Sequence, residues 1–199
     1  MPVDFGAVLV APHLTEFVAR YPEISLDFDV SPQRIDMILG HFDVALRLGE
    51  LPDSTLVAHP LTRLGTHVYA APQYINQRGA PRHPRELAEH ECVRILGPRR
   101  TSHWAFRREG EHVSVEVNGR LALNNMGMIC RLVADGVGVG ILAERIASEY
   151  IQADRLVRLL PGWSCAPFPV VALTATQTLS AAARVFIDFL RDRTGEPRR

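Results

Sequence analysis

Few residues have the types and spacing for chemistry, and each has a plain structural alternative. In Gly136-Val137-Gly138-Val139-Gly140-Ile141-Leu142-Ala143, the residues Gly138, Gly140 and Ala143 match GxGxxA. A dinucleotide fingerprint needs a strand before the glycines and a helix opening on them, so that the helix N-terminus meets the pyrophosphate. Here the apolar pattern puts a helix before the glycines and a strand through them. The order is inverted, which predicts a helix stop and a tight turn into a buried strand; no cofactor is called for. His83, His90, Glu91 and Cys92 are metal-ligand types, but their spacing fits neither HExxH nor a Cys/His finger. No metal site is expected. There is no GxSxG elbow, and no carboxylate pair at a spacing that suggests acid/base work. Cys92, Cys130 and Cys165 are odd in number, far apart and without CxxC spacing, so neither a disulfide framework nor structural zinc is predicted. The catalytic search returns nothing, which points to a binding module rather than an enzyme.

Two features suit ligand binding. Arg47 interrupts the apolar run Val44 to Leu48 near the end of a strand, where open α/β sheets bind ligands. Its fork suits a carboxylate; the alternative is an ion pair with Asp36, Asp43 or Asp53. Asn124-Asn125 precedes a helix at Met126. Either residue can cap it, and the free amides of its first turn can also hold an anion or polar ligand.

Composition narrows the field. The 199 residues carry 22 Lys+Arg against 22 Asp+Glu, and all 22 basic residues are arginine. The absence of lysine removes a Walker A loop, a Schiff-base lysine and a pyridoxal-phosphate anchor. Zero net charge argues against wrapping nucleic acid through the chain's own surface. The start, Met1-Pro2 with Asp4, lacks the basic region of a secretory signal, and no apolar run approaches the roughly 18 to 20 residues of a membrane span. A cytoplasmic protein with no membrane association is expected.

The elements that must position these residues alternate helix and strand. Val8 to Arg20 has helical spacing, with Pro12 as a kink or restart. Ile24, Leu26, Phe28 and Val30 line one face of an alternating strand. A short helix over Arg34 to Gly40 and a strand over Asp43 to Leu48 follow. This order predicts parallel strands. Farther on, strands are read at Thr66 to Ala71, Cys92 to Ile95, Ala105 to Arg107, Val113 to Val117, Leu121 to Leu123, Val139 to Leu142, Leu156 to Leu159 and Val170 to Thr174. Helices are read at Pro84 to Glu89, Met126 to Asp135, Glu144 to Ala153 and Ala181 to Arg191, the last capped by Ser180. Pro161 to Pro169 is the best linker candidate, and Arg191 to Arg199 reads as a frayed tail.

Together these segments resemble a known family. Phe17-Val18-Ala19-Arg20-Tyr21-Pro22-Glu23-Ile24-Ser25-Leu26 resembles the EFLARYPEVSL segment of LysR-type transcriptional regulators, and Asp43 to Ser54 is similar to their DLAIRIGELPDS. Further matches run in order through Tyr69 to Tyr74, Gly119 to Asn125, Gly136 to Leu142, Leu156 to Pro161 and Ala182 to Leu190. The resemblance implies the family's effector-binding domain. Its expected fold is α/β: two Rossmann-like lobes joined by two crossover strands, like a type II periplasmic binding protein, with a small-molecule cleft between them. Lobe one would be residues 1–63 plus 168–199, and lobe two 64–167. The family's N-terminal winged helix-turn-helix, and most of the first strand of lobe one, have no counterpart in this sequence; DNA would be bound only through that N-terminal domain. Implied effector contacts are Asp4, Phe5, Ser31, Gln33, Arg47 and Gly49 from lobe one, and Arg99, Thr101, Trp104, Asn124, Asn125 and Met126 from lobe two. The implied effector is a small metabolite such as a carboxylate or an aromatic compound, and the implied homodimer pairs helix 8–20 with helix 126–135. A transport receptor of the same fold is the rival reading.

Overall fold

The computed structural model describes residues 1–30, 42–49, 55–97 and 102–195. The helix expected over Arg34 to Gly40, and the candidates Ser31, Gln33, Arg99 and Thr101, lie outside the described residues. The chain forms two compact units, residues 1–64 with 168–199 and residues 65–167.

Unit 1 begins helical at once. Helix α1 (Val3–Phe5) runs into a π-helical turn (Gly6–Val10) and then α2 (Ala11–Arg20). The helix therefore starts five residues before the expected Val8. The wide turn falls directly before Pro12, which has no N–H for the preceding turn; a π turn absorbs that mismatch. Strand β1 (Ala45–Leu48) pairs antiparallel with β11 (Phe168–Thr174), which pairs antiparallel with β2 (Val57–Leu64). The chain passes between the units directly after β2 and directly before β11. Helix α6 (Ala181–Thr194) starts on Ser180, whose hydroxyl accepts from Ala183 N at 3.2 Å. Phe186 and Phe189 of α6 pack edge-on against Phe17 of α2, with centroids 5.4 and 5.1 Å apart.

Three expectations for this unit are corrected. The described strands of unit 1 are antiparallel, not parallel, because the two strands at the unit boundary lie side by side. Ile24 to Val30 forms no strand: the alternation survives in the half-burial of Ile24 and Leu26, but no ladder partner lies beside it among the described residues. The tail does not fray at Arg191. Helix α6 continues through Thr194, which is buried and donates to Leu190 O at 2.7 Å, and the Arg193 guanidinium pairs with Glu16 on α2.

Unit 2 is built on β3 (Thr66–Ala70), flanked by β8 (Gly140–Ala143) and β9 (Val157–Leu159), both antiparallel to it. A hairpin of β5 (Ser102–Arg108) and β6 (Glu111–Val117) covers the core. Its turn is Glu109-Gly110, with φ of 45° and 85°, the double positive φ of a type I′ turn. Trp104 and Phe106 on β5 and Val113, Val115 and Val117 on β6 point inward by strand alternation. Strand β10 (Ser164–Cys165) extends the hairpin, and Trp163 beside it is buried, so the expected linker Pro161 to Pro169 is packed structure. Parallel pairing occurs here, between β4 (Arg94–Ile95) and β7 (Ala122–Leu123). The remaining helices are α3 (Pro72–Arg78), which was not expected, then α4 (Met126–Ala134) and α5 (Glu144–Gln152), with a 3-10 helix at Pro84–Glu89.

Candidate functional site

The clearest ligand-competent geometry is in unit 2. Strands β4 and β7 run parallel, and Leu96 N continues the ladder to Leu123 O at 2.8 Å. Asn124 and Asn125 follow β7 and lead into α4. Asn125 is the N-cap: its Oδ1 accepts from Met128 N at 2.7 Å, and its carbonyl accepts from Ile129 N at 3.2 Å. The carboxyl ends of two parallel strands and a capped helix N-terminus thus share one edge, an arrangement that suits an anionic or polar ligand. Asn124 is exposed and Asn125 half-buried, whereas Met126 is buried with Ile129, Cys130 and Val133 on the inner face of α4. Trp104 is only 8% exposed and belongs to the core of the unit.

In unit 1, Asp4 and Phe5 lie on α1, with Phe5 buried and Asp4 half-buried. Arg47 is half-buried on β1, opposite Val171 of β11. Gly49 ends that strand with φ of +93°, a conformation that favours glycine, and donates to Pro169 O at 2.9 Å. Arg47 also lies close enough to the Met1 ammonium to disfavour its charge.

The other sequence signals resolve into packing. Gly138 sits where a Cβ would fall 2.1 Å from Glu91 O, and Gly140 where one would meet Val133 at 2.8 Å. Gly136 has φ of +82° at the end of α4. These glycines let β8 approach its neighbours closely, as the inverted order of the motif implies. His83 caps the 3-10 helix through Nδ1, which accepts from Arg85 N at 3.2 Å. Tyr74, at the end of the family-like segment Tyr69 to Tyr74, bonds His90 Nδ1 at 3.2 Å while its hydroxyl accepts from Glu91 N at 3.1 Å. Cys92 is buried and Cys165 half-buried, and desolvation pushes each thiol up to about 12, which favours the protonated form near neutral pH. Among the described residues no group of three or more His, Cys, Asp or Glu side chains could hold a metal ion. Nor, among them, is any helix long and apolar enough to cross a membrane.

The family model of the LysR substrate binding domain matches residues 1–195. The chain belongs to that family. Its relatives include an HTH-type transcriptional regulator of Xanthomonas campestris pv. campestris, 34% identical over 195 residues, covering 96% of this chain and 57% of the relative. The HTH-type transcriptional regulator PtxR of Pseudomonas aeruginosa is 32% identical over 195 residues, covering 98% and 62%. The chain therefore spans about three-fifths of the length of these curated relatives. Among solved structures, the regulatory domain of CrgA, a LysR-type transcriptional regulator from Neisseria meningitidis, superposes with a TM-score of 0.82 at 28% identity, covering 98% of this chain and 96% of that one. Full-length AphB, the Vibrio cholerae virulence activator, gives 0.76 at 25% identity, covering 96% and 65%. The fold of this LysR substrate-binding domain is thus the α/β fold of the LysR regulatory domains, related to the type II periplasmic binding proteins.

Proposed function

We propose that this chain is the effector-sensing part of a LysR-type transcriptional regulator. It binds a small metabolite, a carboxylate or an aromatic compound, and the bound state shifts the population between arrangements of the domain. DNA is contacted by a separate N-terminal helix-turn-helix domain, in the cytoplasm. The observation that carries the reading is the family match over residues 1–195, joined to a CrgA regulatory-domain fold over 98% of the chain. Within unit 1, Arg47 and Gly49, with Asp4 and Phe5, offer a cation and a turn that suit such a ligand; within unit 2, Asn124 and Asn125, with Trp104 and Met126, offer amide and apolar groups that do so. A melting screen over carboxylates and aromatics tests this. A ligand at 100 times its Kd adds about 2.7 kcal/mol, a shift of roughly 5 to 10 °C for a chain of this length. Arg47→Ala is expected to abolish the shift given by a carboxylate. Flat melts across both compound classes would sink the reading.

The same reading includes a homodimer in which α2 of one copy meets α4 of the other. Val18 on α2 is 52% exposed and Met128 on α4 is 56% exposed, apolar groups of the kind an interface covers. Met128→Arg is expected to convert a dimer to a monomer in sedimentation at micromolar concentration. A wild-type monomer at that concentration would refute the interface.

A further inference from the structure

Arg94 in unit 2 is buried with more donors than acceptors. It opens β4 and is only 5% exposed. Strand alternation puts its side chain on the same face as Cys92, which belongs to the buried apolar cluster of the unit. One nitrogen, Nη2, donates to Gly119 O at 2.9 Å. Nε and Nη1 are buried and meet no acceptor among the described residues. A guanidinium carries five N–H donors and cannot shed its charge by deprotonation. One carbonyl neither uses up those donors nor balances the charge, and an uncompensated buried charge is strongly destabilising. Glu91, three positions earlier, is already engaged: its Oε1 accepts from Arg120 N at 2.6 Å and lies 3.6 Å from Arg120 Nε. The bond to Gly119 also gives the direction of the side chain. Gly119 precedes β7 and lies at the amino end of the β4–β7 pair, whereas Asn124 and Asn125 stand at its carboxyl end. The guanidinium therefore aims away from the edge that carries Asn124 and Asn125.

We propose that Arg94 is the base of a second ligand site, one for a small free carboxylic acid in its ionised form. A carboxylate accepts guanidinium N–H groups in their own plane, as short charge-assisted bonds, and brings the one negative charge that Arg94 lacks. Water would satisfy the N–H groups and leave the charge unbalanced. A phosphate would bring a bulkier tetrahedral group and up to two charges to a single guanidinium. The acid is therefore monovalent and slim, of the size of formate or acetate. A Cβ on Gly119 would fall 1.8 Å from Cys92 O, so the two backbones are already in contact there and the acid must meet Nε and Nη1 from another side. Arg120, next to Gly119, is 87% exposed, which brings this end of the strand pair to the surface and gives an anion a cationic approach.

The test is thermal melting of the full chain at pH 7.5 and constant ionic strength, with sodium formate replacing sodium chloride. Formate is expected to raise the wild-type Tm by about 4 °C over chloride. Arg94→Met keeps the length of the side chain and removes the charge. It should melt at the same temperature in both salts, and in chloride no lower than wild type, because an unbalanced buried charge has gone. Arg94→Lys keeps the charge without the planar fork and should lose most of the formate shift. The effector reading is kept separate by Arg47→Ala, which is expected to retain the formate shift in full. A second readout needs no variant: in a nitrogen-15 spectrum of the wild-type chain, the most slowly exchanging arginine Nε–H signal should move saturably as formate is added. Equal wild-type Tm in the two salts, or an unmoved Nε–H signal, would overturn the proposal. So would a formate shift that survives Arg94→Met and disappears with Arg47→Ala, because the acid would then sit with the effector groups of unit 1.

Discussion

The two units bury their apolar side chains with different elements. In unit 2 the inward side chains of β5 and β6 close with Val68, Leu159, Leu160 and Trp163 into one continuous buried cluster. The Arg108 guanidinium lies 4.4 Å from the Trp163 ring centre and seals its outer side. In unit 1, Phe5, Leu9, Val10, Ile187 and Leu190 are buried just as fully, and two local groups stand out among the described residues. Ala45, Val171 and Leu173 form one, with Phe42 and Leu56 against it, and Phe17, Phe186 and Phe189 form an aromatic contact between α2 and α6. A groove of about 300 Å³ in this unit is lined by Ile24–Asp29, Phe42–Leu46 and Phe186, with Phe28 39% exposed. The lesson is that apolar sequence pattern places a residue on a face, but only a partner strand buries that face.

The largest expected effect uses that contrast directly. Phe106→Ala deletes a ring that is 1% exposed, and filled cores lose about 3–5 kcal/mol when such a ring becomes alanine. Phe28→Ala removes the same group from the open side of unit 1, where about 1 kcal/mol or less is expected. Urea unfolding of both variants measures the difference. Equal losses would mean that the groove side of unit 1 is as well covered as the core of unit 2.

How much of this was legible in the chain follows the same division. Short strands with local signals were readable. The alternation of Val113, Val115 and Val117 and the punctuation at Gly136 depend on nearest neighbours, and the elements appear where expected. Helix α3 was missed because Pro72-Gln73-Tyr74-Ile75-Asn76-Gln77-Arg78 is polar, buries only Tyr74 and offers little periodicity. The strand expected at Ile24 failed for a non-local reason: a strand exists only in a ladder. Pairing direction failed likewise, since β1 meets a partner more than 120 residues away in β11. Of the candidate site, a cap at Asn124 or Asn125 was readable from their place before an apolar helix, and the structure assigns it to Asn125. The Tyr74–His90–Glu91 contact was not, because it joins residues 16 and 17 positions apart across two elements.

A sharper comparison comes from the two side-chain caps. Asn125 in unit 2 and Ser180 in unit 1 each satisfy one backbone amide of a helix first turn, at 2.7 and 3.2 Å. Replacing either by alanine is expected to lose about 0.5–2 kcal/mol. The shorter bond and the half-buried setting place Asn125→Ala at the upper end. Asn125→Asp keeps the acceptor and is expected to keep the stability, while weakening binding of an anionic effector by placing a carboxylate beside it. A stability loss from Asn125→Asp equal to that from Asn125→Ala would show that more than the cap is broken.

The smallest expected effect is a pH dependence centred on unit 2. The His67 pKa is depressed chiefly by burial, and further by Arg158, with Glu144 acting against both. His90 is depressed by burial and by Arg78, against Glu86 and Glu89. In the unfolded chain both titrate near 6.5. The unfolded state therefore takes up protons first as pH falls, and stability present above about pH 6.5 is lost progressively below it, until the folded pKa values are reached. His67 has a structural reason to resist protonation as well: its Nδ1 is buried without a hydrogen-bond partner, and a proton there would be buried unsatisfied. Exchange protection factors at pH 7.5 and 5.5 should fall more in β3 than in β11, a range that stays above ordinary carboxylate titration. His67→Gln, which cannot charge, should flatten the decline in β3. If β3 and β11 lose protection equally in wild type and variant, these histidines do not set the acid sensitivity of unit 2.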